Sequence, residues 1–543
     1  MGSKKNSYIT QGLILAVAGI VTRFIGLLYR IPLTNIVGSE GMGYYSTAYE
    51  VYNIALLVST YSIPVAISKI ISAKKAQGLE RDVKRIFKVG LAFSSCVGLL
   101  ASLVLFIFAD TVAEWMGYPS AALPLKVLAP TIFVFSCMGV IRGLFQGLRN
   151  MVPTAVSQVV EQIVNAVVSV VCAVWFIDIV TDISKPSLGA AGGTAGTLAG
   201  AVAGLIFLIL FMLFKKNRDE ENDAADTLNT AGGSVSPIGK LLKLLIVTMV
   251  PIILSQTIYQ LSGITDDFMF GRILGSKGIE ESGRAVLFEA YANKYKWLYN
   301  LPVAVASAFG VSVVPVLSNA FAVKDTDGIK DKIRGTVKLN MMIAIPAAAG
   351  LSFFAGPIMK LFFDEGGDIA AKLLVWGGFA VVVFAYSTIT NGVLQGINRL
   401  SVPVFHSGLS LIIHIPLLAV MLYFTDLNEY ALMICNLIYA LVVSVLNYLS
   451  IRKEIGYRQE VKRTFLIPAL SSCIMGIAGR CLYGFLVYIG VHAHVGTVIA
   501  IVVCVPVYFV ILIIFKGLSS EELSKLPFGD KLCKLFKKLR LLK

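Results

Sequence analysis

Apolar stretches of roughly twenty residues, each closed by a short polar or charged segment, recur along the whole chain. A backbone in hydrocarbon has no water to bond to. Segments of that length must therefore satisfy their own hydrogen bonds as membrane-spanning helices. The pattern predicts about fourteen spans, at 9–31, 43–71, 87–109, 121–147, 152–177, 188–214, 241–265, 287–318, 336–363, 370–397, 402–424, 429–451, 464–489 and 493–515. Several are longer than a straight crossing needs, which leaves room for tilt.

The basic residues support this map. Alternate loops, counted from the N-terminus, carry most of them: Lys4 and Lys5, the run from Lys69 to Lys88, Lys215 to Lys243, Lys324 to Lys338, and Arg452 to Arg463. The opposite loops hold only Lys185, Arg272, Lys277, Arg284 and Lys372. Positive residues mark the cytoplasmic side, so both termini are expected in the cytoplasm of a cell-membrane protein, with an even number of crossings.

Residues 215–240 form the one long polar insert and read as a linker between related halves. Gly143-Leu144-Phe145-Gln146-Gly147 returns as Gly392-Val393-Leu394-Gln395-Gly396, and Pro153 returns as Pro403. The expected layout is an N-terminal lobe over 1–214, the linker, a C-terminal lobe over 241–451, two extra helices over 452–515, and a basic tail over 516–543. In that tail Leu532, Leu535, Phe536 and Leu539 share a helical face suited to the inner leaflet. The fold class is thus all-α and polytopic: two pseudo-symmetric six-helix lobes plus two C-terminal helices.

Composition narrows the function. With 57% hydrophobic and 15% charged residues in 543, a water-soluble core is excluded. The net charge of +15 would suggest nucleic acid in a soluble protein, but here it follows from the basic cytoplasmic loops. The eight cysteines contain no Cys-x-x-Cys pair and read as small packing residues. The first thirty residues resemble a signal peptide but are too long and carry Arg23, so they read as the first span. His406 and His414 lie two turns apart without a third metal ligand. There is no Walker loop, nucleotide fingerprint or nucleophile motif. The expectation is a transporter, not an enzyme, without cofactor, metal or nucleic-acid partner.

Charges at membrane depth cost about 2.5–3.5 kcal/mol each at a helix centre, so they are candidate site residues. Cations (Arg23, Arg30, Lys126, Arg142, Lys294, Lys296, Lys360 and Arg480) outnumber acids (Glu50, Glu161 and Glu289). Arg23 and Arg30 are seven apart and share a helix face. They could bind a phosphate-bearing substrate through their guanidinium forks, or pair with Glu50 and only fix packing. Polar stripes mark other helices: Gln158, Glu161, Gln162 and Asn165 on the fifth; Ser255, Gln256, Gln260 and Asp267 on the seventh; Glu289, Asn293, Lys296 and Asn300 on the eighth; Thr388, Asn391 and Gln395 on the tenth. Together they suggest a hydrated cavity. The candidate substrate-binding set is Arg23, Arg30, Glu50, Arg142, Glu161, Gln260, Glu289, Asn293 and Lys296.

The run GLFQGLRNMVPTAVSQVVEQ (143–162) and the earlier NIVGSEGMGYYSTAYEVYNIALLVSTYSIPVAISKIISA (35–73) resemble the stage V sporulation protein B-like branch of the polysaccharide-biosynthesis exporters. These sit in the multidrug/oligosaccharidyl-lipid/polysaccharide superfamily beside the lipid II flippases. The resemblance implies two lobes around a central cavity and alternating access. It also implies an undecaprenyl-diphosphate-linked saccharide as substrate, with lipid II among the candidates. Arg23 and Arg30 match first-helix arginines of the flippases, and Lys294 and Lys296 stand where those carry a cation on the eighth helix. Glu50 departs from the arginine of their second helix. An ion gradient or the membrane potential is the expected energy source, with Glu50, Glu161 and Glu289 as coupling candidates. The rivals are a drug/cation antiporter of the same superfamily and a membrane-embedded glycosyltransferase, for which Asp266-Asp267 would be the nearest catalytic carboxylates.

Overall fold

Helix is the structure that long apolar segments can take in lipid, and the described chain is helices joined by short turns. The computed structural model describes the backbone of residues 2–57, 62–179, 185–223, 237–322, 325–363 and 367–518, with the side chains of 2–13, 16, 215–223, 251, 252, 254–260 and isolated positions in 309–322 left out. The predicted spans fall mainly on helix where they are described, with breaks inside them at Phe108, Phe354 and Gly378–Phe379, and no strand occurs among the described residues. Among those residues ten helices are long and apolar enough to cross a membrane, or eleven if a pair bent by 58° is one span. The chain is a polytopic, all-α membrane protein. The linker residues 224–236 and the tail residues 519–543, with its expected amphipathic face, lie outside the described residues.

Contacts divide the chain into two units, Met1–Glu289 and Ala290–Lys543. The first holds α1 (Gly2–Leu56), α2 (Ile63–Ala76), α3 (Glu80–Ile107), α4 (Ala109–Met116), α5 (Ala122–Gly147), α6 (Val152–Ile179), α7 (Lys185–Asp223), α8 (Ile238–Ser276) and α9 (Glu281–Glu289). Gly38, at φ 75° and ψ 168°, breaks α1 into two rods. That backbone region is essentially open to glycine alone. Five residues on, a Cβ at Gly43 would lie 2.3 Å from the Ala285 carbonyl oxygen of α9. The small residue lets two backbones meet.

The linker is the expected lobe boundary, yet α8 and α9 pack on the N-terminal helices. Thr47 donates to Asp267 Oδ1 at 3.2 Å, Arg284 Nη2 donates to the Gly117 carbonyl at 2.7 Å, and the Ser120 amide donates to Glu281 Oε1 at 2.8 Å. Asp266 and Asp267 are both buried inside α8. The glycosyltransferase reading needs exposed carboxylates in a membrane-edge loop, and these are helical and enclosed.

The second unit opens with a π-helical turn, Ala290–Tyr295. It continues as α10 (Lys296–Ala322), α11 (Thr326–Phe353), α12 (Ala355–Phe362), α13 (Gly367–Gly377), α14 (Ala380–Gly396), α15 (Ser401–Phe424), α16 (Glu429–Ile455), α17 (Ile467–Tyr488) and α18 (Ala493–Ile514). The pair α13–α14 is the bent one.

The two GxxxG repeats do the same work in their own units. A Cβ at Gly143 or Gly147 of α5 would come 2.8 Å from Ile67 or Ile71 Cβ of α2. A Cβ at Gly392 or Gly396 of α14 would come 2.4 Å from the Gly310 carbonyl oxygen or 2.8 Å from Leu317 Cβ of α10. Ser72 Oγ donates to the Gly147 carbonyl at 2.9 Å, and Ser318 Oγ donates to the Gly396 carbonyl at 3.1 Å. Both helices then end alike. Arg149 and Asn398 each take φ 62°, and the amides of Asn150 and Arg399 reach back to the carbonyls of Phe145 and Leu394.

Candidate substrate-binding site

Helical periodicity builds the clearest site, and it lies within the first unit. On α6, Gln158, Glu161 and Gln162 fall at i, i+3 and i+4 and so share a face. On α5, Arg142 and Gln146 are one turn apart, and the close approach of α2 at Gly143 fixes the helix beside them. The two polar faces meet, with Thr22 of α1, around a hollow of about 340 Å³. Leu56, Pro64 and Phe135 form its apolar wall.

Arg142 is the fixed point of this hollow. It is 9% exposed; its Nη2 donates to Glu161 Oε2 at 2.8 Å and its Nε to Ser157 Oγ at 3.1 Å. Ser157 in turn donates to the Thr154 carbonyl at 2.7 Å. The guanidinium is thus neutralised and held rigid, as a charge at membrane depth must be. Gln162 fits because α1 has no side chain opposite it: a Cβ at Gly26 would lie 3.2 Å from Gln162 Nε2.

The first-helix arginines share a face but not an environment. Arg23 follows Thr22 and is exposed. Arg30 is half-buried, with its guanidinium 5.7 Å from the Tyr45 ring centre. Tyr45 packs on Tyr49 at 4.5 Å, the Tyr49 hydroxyl bonds Thr197, and Thr197 donates to Asn165 Oδ1 at 3.5 Å. Of the two sequence readings for Arg30, pairing with Glu50 gives way to an aromatic cradle, because the Glu50 carboxylate lies elsewhere. It rests on α8, where a Cβ at Gly263 would meet Glu50 Oε2 at 2.7 Å.

The remaining candidates are dispersed. The Gln260 side chain lies outside the described residues. Glu289 is buried at the end of α9 in the first unit. Asn293 is buried and Lys296 half-buried in the second. The expected i, i+4, i+7 face through Glu289, Asn293 and Lys296 is corrected by the π turn, which takes more residues per revolution and rotates the register. Lys294, not Lys296, is the fully buried cation, with Nζ 5.4 Å from the Phe363 ring centre. Asn300 is exposed. Lys126 pairs with Asp110 at 2.7 Å and lies in the second turn of α5, near its end rather than its centre.

Thr22 and Gln146 line the hollow although neither belongs to the candidate set that the sequence suggests. Gln146 carried a usable signal, its position one turn after Arg142 on the same face; Thr22 carried none. In the second unit Asn447 joins three helices, donating to Asn391 Oδ1 at 2.7 Å and Thr390 Oγ1 at 3.0 Å, with His406 Nδ1 2.7 Å from its Oδ1. That unit also holds a larger hollow of about 710 Å³ among α11, α14, α16 and α17, walled by apolar residues such as Ile345, Phe353, Val383 and Phe465.

The profile described as "Polysaccharide biosynthesis protein" matches residues 9–321, and that described as MatE matches 290–420. The chain is 28% identical to the uncharacterized membrane protein YabM of Bacillus subtilis over 98% of each chain. It is 26% identical to the lipid II flippase MurJ of the same bacterium over 86% of each, and 23% identical to its stage V sporulation protein B over 97% of this chain and 99% of that one. Among solved structures, a lipid II flippase MurJ in an inward closed conformation superposes with a TM-score of 0.66 at 16% identity, covering 93% of this chain and 98% of that one. That likeness shows the shared fold.

Proposed function

Because the chain belongs to the polysaccharide biosynthesis protein family, within the superfamily of multidrug transporters and lipid-linked saccharide flippases, we propose that it carries an undecaprenyl-diphosphate-linked saccharide across the cell membrane by alternating access. The coarser statement, a membrane transporter or flippase and not an enzyme, follows from membership. The observation that carries the finer one is a polar hollow, rigidly built around Arg142 and Glu161, inside helices that are otherwise apolar. A lipid-linked saccharide needs a polar chamber for its headgroup and an apolar path for its tail.

Arg23, exposed beside the polar hollow's Thr22, supplies the charge for the diphosphate in this reading, since Arg142 is already neutralised. Both termini face the cytoplasm in this reading. An ion gradient drives the cycle, with Glu50 and Glu289 as coupling candidates. The test is headgroup exposure in reconstituted vesicles. Arg23→Ala is expected to abolish it while leaving folded protein; normal exposure would overturn the assignment.

The MatE match at 290–420 favours a second reading, a drug/cation antiporter. Such a protein needs an acid in its binding chamber free to take a cation, and Glu161, the carboxylate that lines the polar hollow, is held by Arg142. Displacement of bound cationic dye by the saccharide lipid, or its absence, separates the two.

A further inference from the structure

We infer that the Arg142–Glu161 hollow is a subsite for an uncharged, hydroxyl-rich sugar of the carried headgroup and not for its diphosphate. This rests on the flippase reading and names what that site holds. The charge decides it first. Arg142 and Glu161 cancel at 2.8 Å, and Arg142 spends a second donor on Ser157. A diphosphate entering here would bring negative charge beside a carboxylate and would have to pull the guanidinium from its partner.

The remaining polar groups decide it next. Gln146, Gln158 and Gln162 each offer a carbonyl acceptor and an amide donor, and the Thr22 hydroxyl offers both in one atom. Sugar hydroxyls and N-acetyl groups also donate and accept, so they match such a lining, whereas a phosphate only accepts. Phe135, Pro64 and Leu56 give the C–H faces of a sugar ring an apolar wall to lie on. At about 340 Å³ the hollow is at the small end of ligand sites, roughly 300–1,000 Å³, which suits a short piece of headgroup and not a long glycan. Gly26 completes the shape by leaving Gln162 room beside α1.

The test uses the full-length protein in nanodiscs and two probes: undecaprenyl diphosphate, and the same lipid bearing one N-acetylated hexose. The unaltered protein is expected to hold the sugar-bearing lipid about tenfold more tightly, the worth of one or two neutral hydrogen bonds. In Gln158→Ala/Gln162→Ala that preference vanishes while affinity for undecaprenyl diphosphate is unchanged. Arg23→Ala weakens both probes together. Gln162→Glu guards against a folding artefact: it leaves undecaprenyl diphosphate affinity unchanged if the hollow takes sugar. A preference that survives the double glutamine substitution, equal binding of the two probes by the unaltered protein, or loss of undecaprenyl diphosphate affinity in Gln162→Glu would overturn the subsite. Binding of neither probe would instead sink the flippase reading, and the subsite with it.

Discussion

At the scale of the residue, Arg142 and Glu161 show what a charge at membrane depth requires. Each is visible in the sequence as costly and therefore suspect; that they are partners is not, because nineteen positions and the loop between two helices separate them. Removing one leaves the other as an uncompensated, largely buried charge. With side chains 11% and 19% exposed, the loss for Arg142→Ala is expected at about 2 kcal/mol, below the range of about 3–5 kcal/mol for fully buried pairs. Arg142→Ala/Glu161→Ala should cost less than the single change. Thermal unfolding in detergent checks this, and a double variant weaker than either single would refute it. Gly38 makes a second prediction. Gly38→Ala forces a Cβ into a backbone region reserved for glycine and should lower stability by about 1–3 kcal/mol, read the same way.

At the scale of the element, the repeated GxxxG shows duplication in geometry as well as in letters. Both copies bring a helix against its neighbour through two glycines, accept a serine hydroxyl at the last glycine and end in the same left-handed cap. Ser72→Ala and Ser318→Ala should therefore cost similar amounts, on the order of 1 kcal/mol each. Markedly unequal shifts in unfolding temperature would show that the two contacts are not equivalent. The π turn at Ala290–Tyr295 marks where periodic reasoning failed. A helical wheel assumes a constant 3.6 residues per turn, and one wider turn moved Lys294 inward and left Lys296 half-buried.

At the scale of the whole molecule, the basic loops predict the orientation. A cysteine at Lys84 should be labelled by an impermeant thiol reagent only after cells are opened, and one at Lys277 in intact cells, each in a background cleared of exposed native cysteines. Labelling of both from outside would invert or break the assigned topology. The contact boundary falls at Glu289/Ala290, some fifty residues past the linker at which the sequence leads one to expect it. The linker is the boundary expected from sequence, while α8 and α9 find hydrogen-bond partners on the earlier helices.

Hydropathy alone determined that the chain crosses a membrane many times, because the cost of an unsatisfied peptide in lipid leaves helix as the local answer for every long apolar run. Composition and the basic loops likewise decided class and expected orientation, and two motifs decided the family. Tertiary structure decided which charges face each other, because that depends on helix packing and rotation that no single stripe records. It paired Arg142 with Glu161, set Arg30 on Tyr45 instead of Glu50, laid Glu50 against Gly263, and turned Gln146 and Thr22 into the wall of a polar hollow.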